Sequence, residues 1–427
     1  MFLRILFLGT IFLLAAVLCS PNLIWAGGGD DLSDLTRKTP PSLVNQGKKL
    51  FAHFCAHCHG RSGDGDGFNA EYLEKEPAEL SDEKFQSKKT NHQIFRVIQK
   101  GGIGTRKSHL MPVFGNTLSD SEIWSLVAYI RSLGGDDSQP VFLPQKVKTE
   151  RPLSVAASAA IIQAFREWFR EEGEKQSSIQ AGEKLFRKKK SCLACHQLDE
   201  EGGRVGPDLS RAGFRYKPEW LYAWILRLRA YKAETIMPNL GLSQEEARFI
   251  AAFLNGLHGE TEGTPEDGLP YLQATGNPEN GKRLFFDPEG KVYCSKCHRV
   301  DGEGGTVGPR LDYAGTRRSP EFLLESILDP KAEITAGYST VLILTKDRKF
   351  ITGVKKFEDD SGVGLVDKEG KELFIRTEEI QKYKTQKISM MPGNFKELLD
   401  VQEVADILAY LKSLKLPEFS ERVAEGK

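Results

Sequence analysis

Three short runs each carry two thiols and an imidazole: Cys55-Ala-His-Cys58-His59, Cys192-Leu-Ala-Cys195-His196 and Cys294-Ser-Lys-Cys297-His298. On a helix, residues i, i+3 and i+4 share a face, so both sulfurs and the final imidazole of each run point the same way. Two thiols so placed can add to the two vinyl groups of a haem lying on that face. The imidazole beside the second thiol then reaches the iron, which is the attachment signature of haem c. The runs use six of the chain's seven cysteines. Zinc, a redox dithiol or a structural disulfide are the other uses of such pairs. Zinc prefers four converging Cys or His ligands, whereas each run stands alone in its own stretch of chain. A thioredoxin-like dithiol needs a βαβ setting, which the flanks lack. Three covalently attached haems c are therefore expected.

The opposite face of each iron decides what the haem can do. Met ligation opposite His belongs to electron-transfer cytochromes and raises the potential. The chain has five Met, and apart from Met1 each lies in or beside a Met-Pro pair: Met111-Pro112, Met237-Pro238 and Met391-Pro392. An isolated Met is normally a flexible core filler. Three at matching places after three matching runs read as ligands, which gives the axial sets His59/Met111, His196/Met237 and His298/Met391. Met390 is the alternative to Met391, and His109 could compete with Met111. His53, His57, His92 and His258 read as surface or supporting residues.

A ligating imidazole usually donates its other N–H to a carbonyl or carboxylate. Two of the runs are followed by Gly-x-Val-Gly-Pro-x-Leu, which puts Pro207 and Pro309 each eleven residues after the ligand His. A Pro carbonyl would be a fixed acceptor there, with a plain turn as the alternative. The first run is followed instead by Gly63-Asp-Gly-Asp-Gly67 and then Pro77-Ala78, so its acceptor stays open.

The elements that must position these groups recur with them. Each run follows a Gly-x-x-Leu-Phe stretch (Gly47–Phe51, Gly182–Phe186, Gly281–Phe285), and each Met-Pro precedes an amphipathic helix. Ser119/Glu122, Ser243/Glu246 and Asp400/Glu403 are capping-box patterns at the starts of those helices. Apolar residues such as Ile123, Trp124, Val127 and Ile130 follow at helical spacing. The repeats delimit units at 41–135, 171–258 and 273–415. Val155–Arg170 reads as an amphipathic helix packing between the first two. The third unit is longer between Pro320 and Met391, where Thr340–Thr345, Phe350–Val354, Val363–Val366 and Leu373–Ile375 are short and β-rich. A small antiparallel insert over about 338–385 is expected.

Composition narrows the partners. The chain has 427 residues, with 59 basic and 59 acidic side chains. A zero balance argues against nucleic acid, which selects a basic face. The run Arg187-Lys-Lys-Lys190 is a local exception that could greet an acidic partner. At the N-terminus, Arg4 precedes an apolar stretch from Ile5 to Leu18, with the small Ala26 before Gly27, a secretory pattern over 1–26. An uncleaved anchor is the alternative, and Cys19 leaves a lipoprotein open. All three export the chain, placing it in a periplasm and tying it to a membrane only through that segment.

In order and motif, each unit resembles a class I c-type cytochrome: a Gly/aromatic helix, Cys-x-x-Cys-His, a Pro loop, Met and a closing helix. The resemblance implies a mainly α protein of three tandem cytochrome c-like domains. It also implies contacts of Gly47 with Tyr129, Gly182 with Phe253 and Gly281 with Tyr410. The third unit, with its β-rich insert and Ser-Met-Met-Pro, resembles the haem-binding domain of the Pirellula/Verrucomicrobium type. The implied function is electron relay, without catalysis of its own, to redox protein partners or within a membrane respiratory or dehydrogenase complex. A haem enzyme with one open iron and a haem-bearing sensor are the other readings.

Overall fold

The structure, a computed structural model, describes residues 38–135, 139–259, 268–335, 337–359, 361–386 and 388–419. The segment 1–26 and Cys19 lie outside the described residues. Among those described, no helix is long and apolar enough to cross a membrane.

The described residues between Thr39 and Phe419 form one compact, mainly α-helical unit that holds three helical cores. Each core is built on one helix pair: Pro41–Phe54 against Asp120–Leu133, Gln176–Lys184 against Gln244–Asn255, and Pro278–Phe286 against Val401–Ser413. The pairs approach so closely that only glycine fits at the crossing. A Cβ on Gly47 would lie 1.9 Å from Ser125 O, on Gly182 2.0 Å from Phe249 O, and on Gly281 1.9 Å from Asp406 O. Four residues on, an aromatic pair seals each crossing: Phe51–Tyr129 at 5.1 Å, Phe186–Phe253 at 5.6 Å and Phe285–Tyr410 at 5.5 Å between ring centroids. Gly47 and Gly182 also meet the Cβ of Tyr129 and Phe253. The nearest atoms to Gly281 are instead the backbone of Asp406 and Ile407, so Tyr410 meets Phe285. All three closing helices carry complete capping boxes at Ser119, Ser243 and Asp400.

The helix expected over Val155–Arg170 is shorter and has a different role. It runs Ala159–Trp168, is capped by Ser158, and continues as a π turn over Phe169–Gly173. Ile162 and Phe165 are fully buried, and Phe165 stacks on Tyr222 at 4.4 Å. Its apolar face thus belongs to the second core. The second and third cores meet through equivalent segments of two repeats. Lys217 N–H donates to Arg317 O and Ser319 N–H to Arg215 O, each at 3.2 Å, around an antiparallel bridge between Tyr216 and Arg318. The bonds are reciprocal, as across a local two-fold.

Beyond His298 a short hairpin, β1 (Arg299–Val300) with β2 (Glu303–Gly304), closes the attachment turn. The insert is a five-stranded antiparallel sheet: β3 (Thr340–Thr345), β4 (Phe350–Asp359), β5 (Gly362–Val366), β6 (Glu372–Arg376) and β7 (Ile380–Gln386), in the order β6-β5-β4-β3-β7. Strand β7 is not among the strands expected from the sequence, and β4 runs on past Val354 to Asp359. In β7 the only apolar side chains are Ile380 and Tyr383, which face the sheet core. Its other positions are largely Lys and Gln, as suits an edge strand that must resist further pairing. Val354 and Val366 pack with Val307, Cys297 and Met390, joining the sheet to the third attachment turn.

Candidate haem sites

The three attachment runs adopt one backbone turn. His59 N–H donates to Cys55 O at 2.9 Å, His196 N–H to Cys192 O at 3.0 Å, and His298 N–H to Cys294 O at 2.9 Å. Only the first is α-helical, as Ala56–His59. The other two are single 3-10 turns, Cys192–Ala194 and Cys294–Lys296, so the expected helix is cut to one turn. The geometry needed from it, a closed i to i+4 turn, is kept.

Each imidazole is held from behind. His59 Nδ1 lies 3.0 Å from Ala78 O, His196 Nδ1 2.9 Å from Pro207 O, and His298 Nδ1 2.9 Å from Pro309 O. A carbonyl can only accept, so Nδ1 carries the proton and Nε2 presents its lone pair forward. Burial lowers the pKa of all three rings, against a smaller opposing effect of the carbonyl bond. The neutral, metal-binding form is therefore favoured. Behind two of the rings lies a glycine that the sequence reading saw only as part of a motif. A Cβ on Gly206 would lie 2.5 Å from His196 Cε1, and one on Gly308 2.6 Å from His298 Cε1.

The six thiols are unpaired and half-buried. Burial pushes Cys55, Cys192 and Cys195 up to about 12 and Cys294 to about 11, and raises Cys58 and Cys297 as well. Such thiols stay protonated at neutral pH, whereas a reactive redox dithiol has a lowered pKa. Among the described residues, no group of three His, Cys, Asp or Glu side chains is placed to hold a metal ion.

In the first copy, these side chains open into a cavity of about 750 Å³, lined by Cys55, Cys58, His59 and Met111 and walled by Phe51, Phe54, Phe85, Ile94, Val97, Ile98 and Phe114. Its size falls within the ~300–1,000 Å³ of cofactor pockets. Two thiols and an imidazole on one wall, a thioether on the lining and apolar walls between are the donor set and surroundings that haem c requires.

The Met residues are placed by local backbone devices. The helix Asn91–Gly104 breaks at Gly101, whose φ is 67°, and Gly102 N–H donates to Met111 O at 2.9 Å. A Cβ on Gly101 would crowd Met111 O at 2.9 Å and Pro112 at 3.0 Å. Met237 N–H donates to Thr235 Oγ1 at 3.3 Å, and Met391 N–H to Ser389 Oγ at 3.1 Å, so Met391 sits at the place equivalent to Met237. Met390 packs instead beneath the β-sheet with Val307, Val354 and Val366. His109 does not line the first cavity; its ring lies 3.7 Å from Glu74 and its carbonyl accepts the Ser191 hydroxyl.

The basic run before Cys192 is less open than its sequence suggests. Arg187 pairs with Glu183 and Glu201, both at 3.0 Å, and Lys190 with Glu246 at 2.7 Å. Two of its four charges are thus matched within the second copy.

Residues 42–130 and 177–254 match the family model described as Cytochrome C oxidase, cbb3-type, subunit III. These two segments, similar to a c-type cytochrome domain, contain the first and second Cys-x-x-Cys-His runs and Met111 and Met237. The third copy lies outside both matched segments. A chain of the reducing HAO-like protein complex of Kuenenia stuttgartiensis aligns over 52% of this chain and 99% of its own length, at 19% identity and a TM-score of 0.20.

Proposed function

We propose that the chain is a tri-haem c-type cytochrome that relays electrons through three His/Met-ligated haems. One observation carries the reading: the same turn of two thiols and a carbonyl-locked imidazole occurs three times, each followed by a Met-Pro at an equivalent place. Cys55/Cys58, Cys192/Cys195 and Cys294/Cys297 would hold the porphyrin edges as thioethers. His59, His196 and His298 would bind iron through Nε2, their rings oriented by Ala78, Pro207 and Pro309. Met111, Met237 and Met391 would close the sixth position and raise the potential. When bound, each haem supplies a one-electron couple. The protein's part is to fix the ligands, keep water from the iron and hold the three sites at working distance.

With both axial positions filled, no iron is left for substrate, so the chain acts as an electron carrier and not as an enzyme. The name of the matched family favours a membrane oxidoreductase as the partner. The pattern at 1–26 favours export to a periplasm, with a cleaved leader or a retained anchor. Carbon monoxide tests the ligation. The reduced wild-type protein is expected to bind none, and Met111→Ala, Met237→Ala and Met391→Ala one equivalent each. Stoichiometric binding by the wild type would overturn the relay reading.

A further inference from the structure

Asn69 is fully buried, and neither the haem donor sets nor the helix crossings use it. Its backbone N–H donates to His57 O at 2.9 Å, which fixes it to the first attachment turn. Its side chain reaches across to the second. Nδ2 donates to Ala194 O, between Cys192 and Cys195, at 2.9 Å, and lies 3.2 Å from Cys58 Sγ. Oδ1 accepts the Arg204 N–H at 2.6 Å. The amide is thus satisfied by groups of the two attachment regions. Gly203 makes room for it, since a Cβ there would meet Ala194 O at 2.4 Å and Asn69 Oδ1 at 2.7 Å.

The surroundings make this joint stiff. The cavity of the first copy is lined by Cys58 and also by Ala194, Cys195 and Val205, so an attachment cysteine from each copy lines the same space. The Arg204 guanidinium lies 4.1 Å from the centre of the Tyr72 ring, and Asn239 N–H donates to Thr117 Oγ1 at 2.8 Å. A fully satisfied buried polar network specifies one arrangement, because any slippage strands its donors.

We propose that Asn69 is a positioning residue that locks the first and second haems, edge to edge at Cys58 and Cys195, into one electron-transfer pair. The inference rests on the haem reading above. Transfer within the pair is a one-electron exchange, one iron being oxidised as the other is reduced, with no further reactant. A group seated between two attachment turns must also be felt by both.

Two measurements on the full-length holoprotein test this. In the oxidised wild type, electron paramagnetic resonance should show two of three ferric signals broadened by mutual coupling, and the broadening should vanish in Asn69→Ala with three haems retained. Asn69→Asp keeps the acceptor for Arg204 but replaces both N–H donors with a carboxylate. It should lower two midpoint potentials together and leave the third unchanged; Met111→His and Met237→His variants identify the two. Uncoupled signals in the wild type, or a lone potential shift in Asn69→Asp, would overturn the proposal. If the variants fail to load haem, the wild-type spectrum alone decides. Fewer than three haems in the wild type would instead defeat the functional reading.

Discussion

Gly206→Ala is a one-methyl change aimed at an axial ligand. Gly206 does not have a positive φ, so alanine meets no backbone penalty and acts only through its Cβ. That Cβ would lie 2.5 Å from His196 Cε1, 2.6 Å from Nδ1 and 3.0 Å from Nε2. Ordinary contact begins near 3.4 Å, so the ring must retreat by about 0.9 Å. The retreat pulls Nδ1 off Pro207 O, now at 2.9 Å, and moves Nε2 from its line of approach. Overpacking costs about 1–3 kcal/mol and the lost hydrogen bond about 1 kcal/mol. Together, ~2–4 kcal/mol is an about 30- to 700-fold loss in population of the correctly ligated state. A redox titration of the three-haem protein should show one potential displaced and two unchanged, and the reduced variant should bind carbon monoxide at one iron. Gly308→Ala should do the same at His298. Gly256→Ala is the control, because the nearest atom to its Cβ would lie at 3.4 Å. Three potentials overlaying the wild type in Gly206→Ala would refute the claim that this glycine seats the imidazole.

Other perturbations have equally direct outcomes. Met391→Leu should open the third iron to carbon monoxide, whereas Met390→Leu should leave it closed and cost less than about 1.5 kcal/mol as a volume-conserving swap; the reverse pattern would make Met390 the ligand. Burial opposes ionisation of Asp406, but hydrogen bonds from Asn277 N–H at 2.6 Å, Asn280 Nδ2 at 2.6 Å and Gln402 Nε2 at 2.8 Å outweigh it and hold the pKa below the usual carboxylate value. A depressed folded-state pKa gives stability that is full above about pH 4 and is lost as pH falls through the folded value. The gap in urea midpoint between wild type and Asp406→Asn should therefore narrow from pH 7 to pH 3, and parallel curves would count against it. Glu333 meets the buried Arg215 at 2.6 Å and lies 3.6 Å from Arg211. Glu333→Ala should cost about 3 kcal/mol of unfolding free energy by leaving Arg215 uncompensated, and a change below 0.5 kcal/mol, the range of ordinary surface sites, would show the pair to be incidental.

What the sequence discloses here is local, and what it hides is tertiary. The crossings at Gly47, Gly182 and Gly281 and the caps at Ser119, Ser243 and Asp400 show as fixed offsets within one repeat, so they can be read directly. The eleven-residue step from His196 to Pro207 is of the same kind. Ala78 is harder to see, because the first copy reaches its acceptor by a different loop of nineteen residues. Strand β7 is masked by lysines whose edge position hides its alternation. Asn69 and Gly203 have no signature at all, since their partners lie across the junction of two repeats. The Arg187–Lys190 run hides its partners in the same way: Arg187 and Lys190 look free until Glu201 and Glu246 fold against them.

The central claim is the number of covalent haems, and an intact-mass measurement of the purified denatured protein, paired with a pyridine haemochrome assay, tests it most directly. Three haems per chain, retained under denaturing conditions and lost one at a time in Cys58→Ala, Cys195→Ala and Cys297→Ala, is the predicted result. Fewer than three on the wild-type chain, or haem that extracts into acid acetone, would contradict the account.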